Sequence, residues 1–237
     1  MTDRLAELGT NLAAVRARIA DACAAADRDP SEITLVAVTK TFPASDIMLL
    51  SQLGVADIGE NRDSEAAPKA AACTAAGLAV HWHFVGQLQV NKVASVAGYA
   101  DMVHSVDRSR LAEALGRRSS AAGRVISCLV QVSLDDPAEQ TGRGGAAAAE
   151  ALELAAAIAA SGSLRLAGVM GIAPLGQPAR PAYARLRQIA ETVRAAYPSA
   201  RVISAGMSAD MGEAIAEGAT HVRIGTALLG GRPPFLR

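Results

Sequence analysis

The chain has 237 residues, 51% of them hydrophobic, with 23 Lys plus Arg balanced by 23 Asp plus Glu. It can bury a sizeable core as one large domain or two small ones, and a net charge of zero supplies no footprint for nucleic acid or a membrane surface. Cys23, Cys73 and Cys128 are far apart and odd in number, the pattern of reduced thiols. With no signal-like N-terminus and no membrane-length apolar run, a cytoplasmic protein is expected.

In the first segment, Leu5, Leu8, Leu12, Val15 and Ile19 recur at spacings of three and four, which predicts an amphipathic helix over residues 3–26. Residues 33–39 are apolar and β-branched, a strand buried on both faces. Further strands are expected at 55–59, 80–85, 101–106, 124–132, 166–170, 201–204 and 221–224. Helical patterns separate them, at 44–53, 64–76, from near 89, 108–120, 145–160, 179–196 and 209–217. The polyalanine at 146–149 is assigned to helix because Leu152, Leu154 and Ile158 follow it. Strand–helix alternation demands parallel pairing through crossovers. Eight repeats in this length fit a closed (β/α)8 TIM barrel better than a doubly wound sheet. No linker divides the chain, so one domain over 1–237 is expected, with an N-terminal helix and no C-terminal β domain.

Chemistry in such a barrel sits just past the strand ends. Lys40 ends the first strand. Desolvation there would lower its pKa and favour the neutral amine that bonds to an aldehyde, whereas a lysine that snorkels to solvent is the plainer reading. Ser204-Ala205-Gly206-Met207-Ser208 leads into the helix expected near Ala209, with Ser208 placed as its N-cap, and Gly225-Thr226 opens the last helix in the same way. Paired helix starts after strands 7 and 8 make a phosphate site, or Ser208 and Thr226 only cap helices. Arg223 shares strand parity with Gly225, so both should face the same side, where a ring nitrogen, a phosphate or a barrel carboxylate would be its partner.

Other features carry less. His81 and His83 form an HxH pair on one strand face, better suited to hydrogen bonding than to a metal site. Gly142-Arg143-Gly144-Gly145, after Gln140-Thr141, lacks a dinucleotide context and reads as a rim loop. Trp82 reads as core, and Arg62, Lys69 and Lys92 as a basic rim or simple solvated charge.

Several motifs run the length of the chain. They are Leu35 to Lys40, Gly59-Glu60-Asn61-Arg62, His81 to Gln89 with Asn91-Lys92, and His104-Ser105-Val106-Asp107, followed by Gly168-Val169-Met170, Ser204 to Asp210 and Arg223-Ile224-Gly225-Thr226. In this order they resemble the pyridoxal 5'-phosphate (PLP) homeostasis protein family, related to the barrel domain of alanine racemase. The resemblance implies that Lys40 is the Schiff-base lysine, holding PLP as an internal aldimine. By it, Asn61 sits beside the ring, Arg223 faces the pyridine nitrogen, and Met207, Ser208, Gly225 and Thr226 hold the phosphate. It also implies a vitamin B6 buffer or carrier with no substrate turnover and with apo PLP enzymes as recipients; a monomer is expected because the β domain through which racemases dimerise is not expected here. Ala205 and Asp63-Ser64 depart from the family's common residues without touching these positions.

An arginine at the ring nitrogen weakens the cofactor as an electron sink. Alanine racemase adds a tyrosine base from a separate β domain, which is not expected here, and Tyr99, Tyr183 and Tyr197 fall in helices away from the mouth. A weak PLP-dependent racemase, with His83 or Ser133 as the extra base, is the alternative. A cofactor-free Schiff-base lyase acting on a sugar phosphate is the third reading.

Overall fold

A computed structural model describes residues 2–135 and 144–231. Eight parallel strands close into a barrel in sequence order: β1 Thr34–Val38, β2 Asp57–Glu60, β3 His81–Phe84, β4 Met102–Val106, β5 Ile126–Gln131, β6 Leu164–Met170, β7 Val202–Ser204 and β8 His221–Ile224. β8 pairs with β1, with Thr34 opposite His221 and Val36 opposite Arg223, so the ends of the first and last strands are neighbours. The expected (β/α)8 barrel is the fold observed.

The helices between strands are α2 Ala44–Gln52, α3 Asp63–Ala75, α4 Val93–Tyr99, α5 Ser109–Ala121, α6 Ala151–Ala159, α7 Ala179–Ala196 and α8 Met211–Ala216; α9 Thr226–Leu229 follows β8. The long α1 Thr2–Ala25 precedes the barrel. Its predicted stripe Leu8, Leu12, Val15 and Ile19 is buried with Ile47, Leu50, Ile58, Val222 and Ile224. α1 also ties down the last two repeats. Asn11 Nδ2 donates to Leu228 O, Arg4 Nη2 to Leu229 O, and Arg18 Nη2 to Ser208 O. Trp82 is core, as expected, and meets Tyr99 edge-on at 6.2 Å.

The polyalanine expectation is corrected in part. Helix begins with a short turn at Ala148, whereas Ala146 forms a parallel bridge with Val132. Gly145 has φ of 118°, and a Cβ there would lie 2.5 Å from Ser133 N. The chain must come back against β5 before it can turn helical, and that tertiary pairing overrides alanine's helix preference. Gln140, Thr141, Gly142 and Arg143 of the expected rim loop lie outside the described residues.

Side chains inside the barrel divide by polarity. Met102, Leu129, Ala167, Met170 and Val202 form an apolar cluster, while His83, His104, Ser204 and Arg223 are buried polar groups. Burial, with His83 and Arg223 adding to it, pushes His104 well below its usual range, and burial pushes His221 down to about 4. Both rings are therefore neutral when folded and gain protons on unfolding. Their contribution is intact above 6.5 and is lost as pH falls through that value toward about 4. Urea midpoints should drop across this window, and His221→Asn should flatten the fall. A midpoint that stays level in the wild-type protein would contradict neutral interior rings.

Candidate functional site

A cavity of about 480 Å³ opens at the C-terminal ends of the strands. Lys40, Asn61, Met207, Ser208, Arg223, Gly225 and Thr226, the seven residues singled out in the sequence, all line it. Neither His83 nor Ser133, the alternative bases, is among its lining residues.

Lys40 stands two residues past the end of β1, between buried Thr39 and half-buried Thr41. Thr41 has φ of 68°, a conformation that a β-branched residue adopts only when its surroundings impose it. Glu65 imposes it here by accepting the Thr41 N–H at 2.8 Å. Behind the loop, Lys69 Nζ donates to Thr39 O at 2.9 Å and to Glu60 Oε1 at 2.6 Å, and Thr39 Oγ1 donates to the same oxygen at 2.6 Å. Burial pushes the Glu60 carboxyl up, and the bonds from Lys69 and Thr39 offset this only in part. Lys69 is thus a buried strut under the Lys40 turn. This corrects the basic-rim reading, because the ammonium gains its partners by leaving the surface. Arg62 and Lys92 do line a shallow cleft together with Asn61.

Asn61 follows β2 directly. Its Oδ1 is shut off from solvent with no hydrogen-bond partner among the described residues. Its backbone sits hard against Gly86, where an added Cβ would lie 2.2 Å from Asn61 O. Only glycine at 86 lets the ends of β2 and β3 close around the asparagine.

The loop after β7 holds Met207 and Ser208. Gly206 enters it with φ of 89°, and a Cβ there would meet the Ala214 methyl at 2.7 Å. Ser208 is not the N-cap of α8. That position is taken by Asp210, which makes no side-chain cap bond but accepts the Met207 N–H on Oδ1 at 2.6 Å. The carboxylate closes the loop on itself, which delays the helix and leaves Ser208 facing the cavity. Tyr183 on α7 donates its hydroxyl to Asp210 Oδ2 at 2.7 Å. Tyr183 is therefore a prop for this loop at the mouth, not remote from it as its helical position suggested. Tyr183→Phe should lower unfolding free energy by about 1.5 kcal/mol, the loss of a part-buried bond to a carboxylate, as read by urea titration. An unchanged midpoint would show the loop to be held by other means.

After β8, Gly225 is the N-cap of α9, with no side-chain cap bond, and Thr226 is its first residue. The first amides of a helix have no partner behind them. Neither Ser208 nor Thr226 occupies the N-cap position of its helix. Arg223 is buried, and burial lowers its guanidinium against the pull of Tyr183 and Asp210. Its partners among the described residues are Ser204 Oγ at 2.6 Å and Gly171 O at 3.0 Å, not a carboxylate.

The residues fit a small aromatic phosphate aldehyde: an amine, an unsatisfied amide oxygen, a buried cation and two amide-bearing loops around one cavity. Sequence reasoning missed Glu60–Lys69, Asp210 and Tyr183 as supports. The alternation of His221 and Arg223 on β8, with Ser204 closing β7, was the signal for the Ser204–Arg223 pair.

The described residues contain no helix long and apolar enough to cross a membrane. A family model for the alanine racemase N-terminal domain matches residues 10–233. A protein of Mycobacterium tuberculosis named pyridoxal phosphate homeostasis protein is 42% identical over 244 residues, spanning 97% of this chain and 95% of the relative. Its namesake in Escherichia coli K12 is 39% identical over 231 residues, spanning 95% and 97%. The structure of PipY from Synechococcus elongatus PCC7942 with PLP bound superposes with a TM-score of 0.80 at 31% identity, covering 94% of this chain and all of that one. The chain belongs to the alanine racemase N-terminal domain family and, within it, to the pyridoxal phosphate homeostasis proteins.

Proposed function

We propose that this chain binds pyridoxal 5'-phosphate at the barrel mouth and serves intracellular homeostasis of that cofactor, holding it and passing it on. One observation carries the reading: seven residues from the ends of β1, β2, β7 and β8 converge on a single cavity. The relatives named for PLP homeostasis and the PLP-bound PipY structure support it. When bound, the cofactor supplies an aldehyde open to an amine and a pyridine ring that can withdraw electrons. Lys40 is the amine that tethers it, and Asn61 borders the ring. Met207, Ser208, Gly225 and Thr226 hold the phosphate through amides and hydroxyls. Arg223 donates a hydrogen bond to the ring nitrogen and keeps it unprotonated. One binding unit over residues 1–237, a monomer in the cytoplasm with apo PLP enzymes as recipients, completes the proposal.

A carrier is favoured over a weak racemase. Enzymes that use the ring as a strong sink set a carboxylate at its nitrogen. Here an arginine stands in that place, the hydroxyl of Tyr183 is engaged by Asp210, and His83 is engaged inside the barrel. Two measurements test this. The purified protein mixed with PLP should show a visible band that shifts with pH, which a cofactor-free lyase would lack. A panel of α-deuterated amino acids should keep their label, and rapid loss of deuterium from any of them would overturn the carrier reading.

A further inference from the structure

The barrel interior holds a chain of polar groups that tethering PLP does not require. Asp57 Oδ1 lies 3.0 Å from His83 Nε2, and His83 Nδ1 lies 2.9 Å from His104 Nε2. His104 Nδ1 lies 2.9 Å from Ser204 Oγ, which accepts from Arg223 Nη1 at 2.6 Å. Five residues on β2, β3, β4, β7 and β8 thus form one continuous path. His104 and Ser204 are fully buried, and His83 and Arg223 nearly so. Barrel interiors are ordinarily filled with Val, Ile and Leu, and buried polar groups are costly unless every member is satisfied.

The two ends set the direction of the path. An arginine can only donate, and an ionised carboxylate can only accept. Burial works to raise Asp57, but its hydrogen bonds with His83 and His81 work against that, and the carboxyl lies below its usual range. Given one ring proton on each histidine, a single assignment satisfies every link. His83 carries its proton on Nε2 for Asp57, which makes its Nδ1 an acceptor. His104 then carries its proton on Nε2, and its Nδ1 accepts the Ser204 hydroxyl. Every donation runs the same way, from the cation to the anion. His221 sits beside the path, its ring 6.1 Å from His83 and 6.4 Å from His104, with its own Nδ1 on Thr220 Oγ1. Asp57 lines a second cleft of about 530 Å³ together with Arg16, Ser31 and Thr34, so the path runs from one cavity to another.

We propose that Asp57, His83, His104 and Ser204 are positioning residues for Arg223: a one-way hydrogen-bond relay that fixes the guanidinium at the wall of the PLP cavity and links its alignment to the cleft beside Asp57. The cavity end of this inference rests on the function proposed above; the direction of the relay does not.

Ring-nitrogen NMR on the cofactor-free protein at neutral pH reads the relay itself. Both His83 and His104 should carry one proton, on Nε2. Asp57→Ala removes the terminal acceptor and should move the proton of His104, two bonds away, to Nδ1. Asp57→Asn keeps an acceptor oxygen and should restore the wild-type pattern. A cationic ring or an Nδ1 proton on His104 in the wild type would overturn the relay, and so would a His104 that ignores Asp57→Ala. At the cavity, Ser204→Ala frees the guanidinium and should raise the Kd for PLP about tenfold, the worth of a bond to a charged group; an unchanged Kd would overturn the positioning role. Failure of the wild-type protein to bind PLP would count against the proposed function instead, and the ring protons would still judge the relay.

Discussion

Lys40→Ala protein should show no visible band with PLP and release the cofactor on gel filtration. The fold should survive, because Lys40 lies past the end of β1 and its neighbours Thr39 and Thr41 are held by Lys69 and Glu65 through backbone groups. What remains is phosphate binding at the loops after β7 and β8, which the substitution does not touch. We expect affinity to fall at least about 100-fold, equivalent to about 2.7 kcal/mol. Absorbance titration measures the loss, and thermal denaturation checks that the barrel is intact. A variant that kept the wild-type band would place the reacting amine elsewhere.

The second large effect lies under the same turn. Lys69→Ala strips Glu60 of its cationic partner while leaving the carboxylate fully buried beside Thr39. Breaking a buried pair from one side typically costs about 3–5 kcal/mol, because the remaining charge has no compensation. For a chain of this length that corresponds to roughly 10 °C in melting temperature. Glu60→Gln added to Lys69→Ala removes the orphaned charge and should recover a good part of the loss. The loss should also reach the site, since Lys69 donates to the carbonyl of the residue before Lys40. A single variant as stable as wild type would mean that water enters and solvates Glu60. No recovery in the double variant would assign the loss to packing rather than to charge.

The strands were legible because β-branched runs buried on both faces look alike wherever they occur. Residues 33–39 became Thr34–Val38, and residues 124–132 became Ile126–Gln131. Barrel closure followed from counting such runs, and the position of Lys40 at the mouth followed from closure. What stayed hidden depended on contacts distant in sequence. Alanine composition gives no sign that Ala146 must return to Val132. Ser208 looks like a helix cap until Asp210, two residues on, takes that place and binds the Met207 amide. Lys69 sits on a helix whose inward face is fixed only when α3 packs near β1 and β2, so a buried strut read as surface charge. The role of Asn61 toward a ring came from family resemblance alone, and resemblance also chose the ring nitrogen among the three partners that strand parity left open for Arg223. The polar path from Asp57 to Arg223 needed five strands to be placed before any of its links existed.

Reduction of the PLP-loaded wild-type protein with borohydride, followed by peptide mapping, tests the central claim most directly. The account predicts one stable pyridoxyl adduct per chain, on the peptide containing Lys40, with Lys69 and Lys92 unmodified. An adduct confined to another lysine, or a protein that reduction leaves unlabelled, would contradict it.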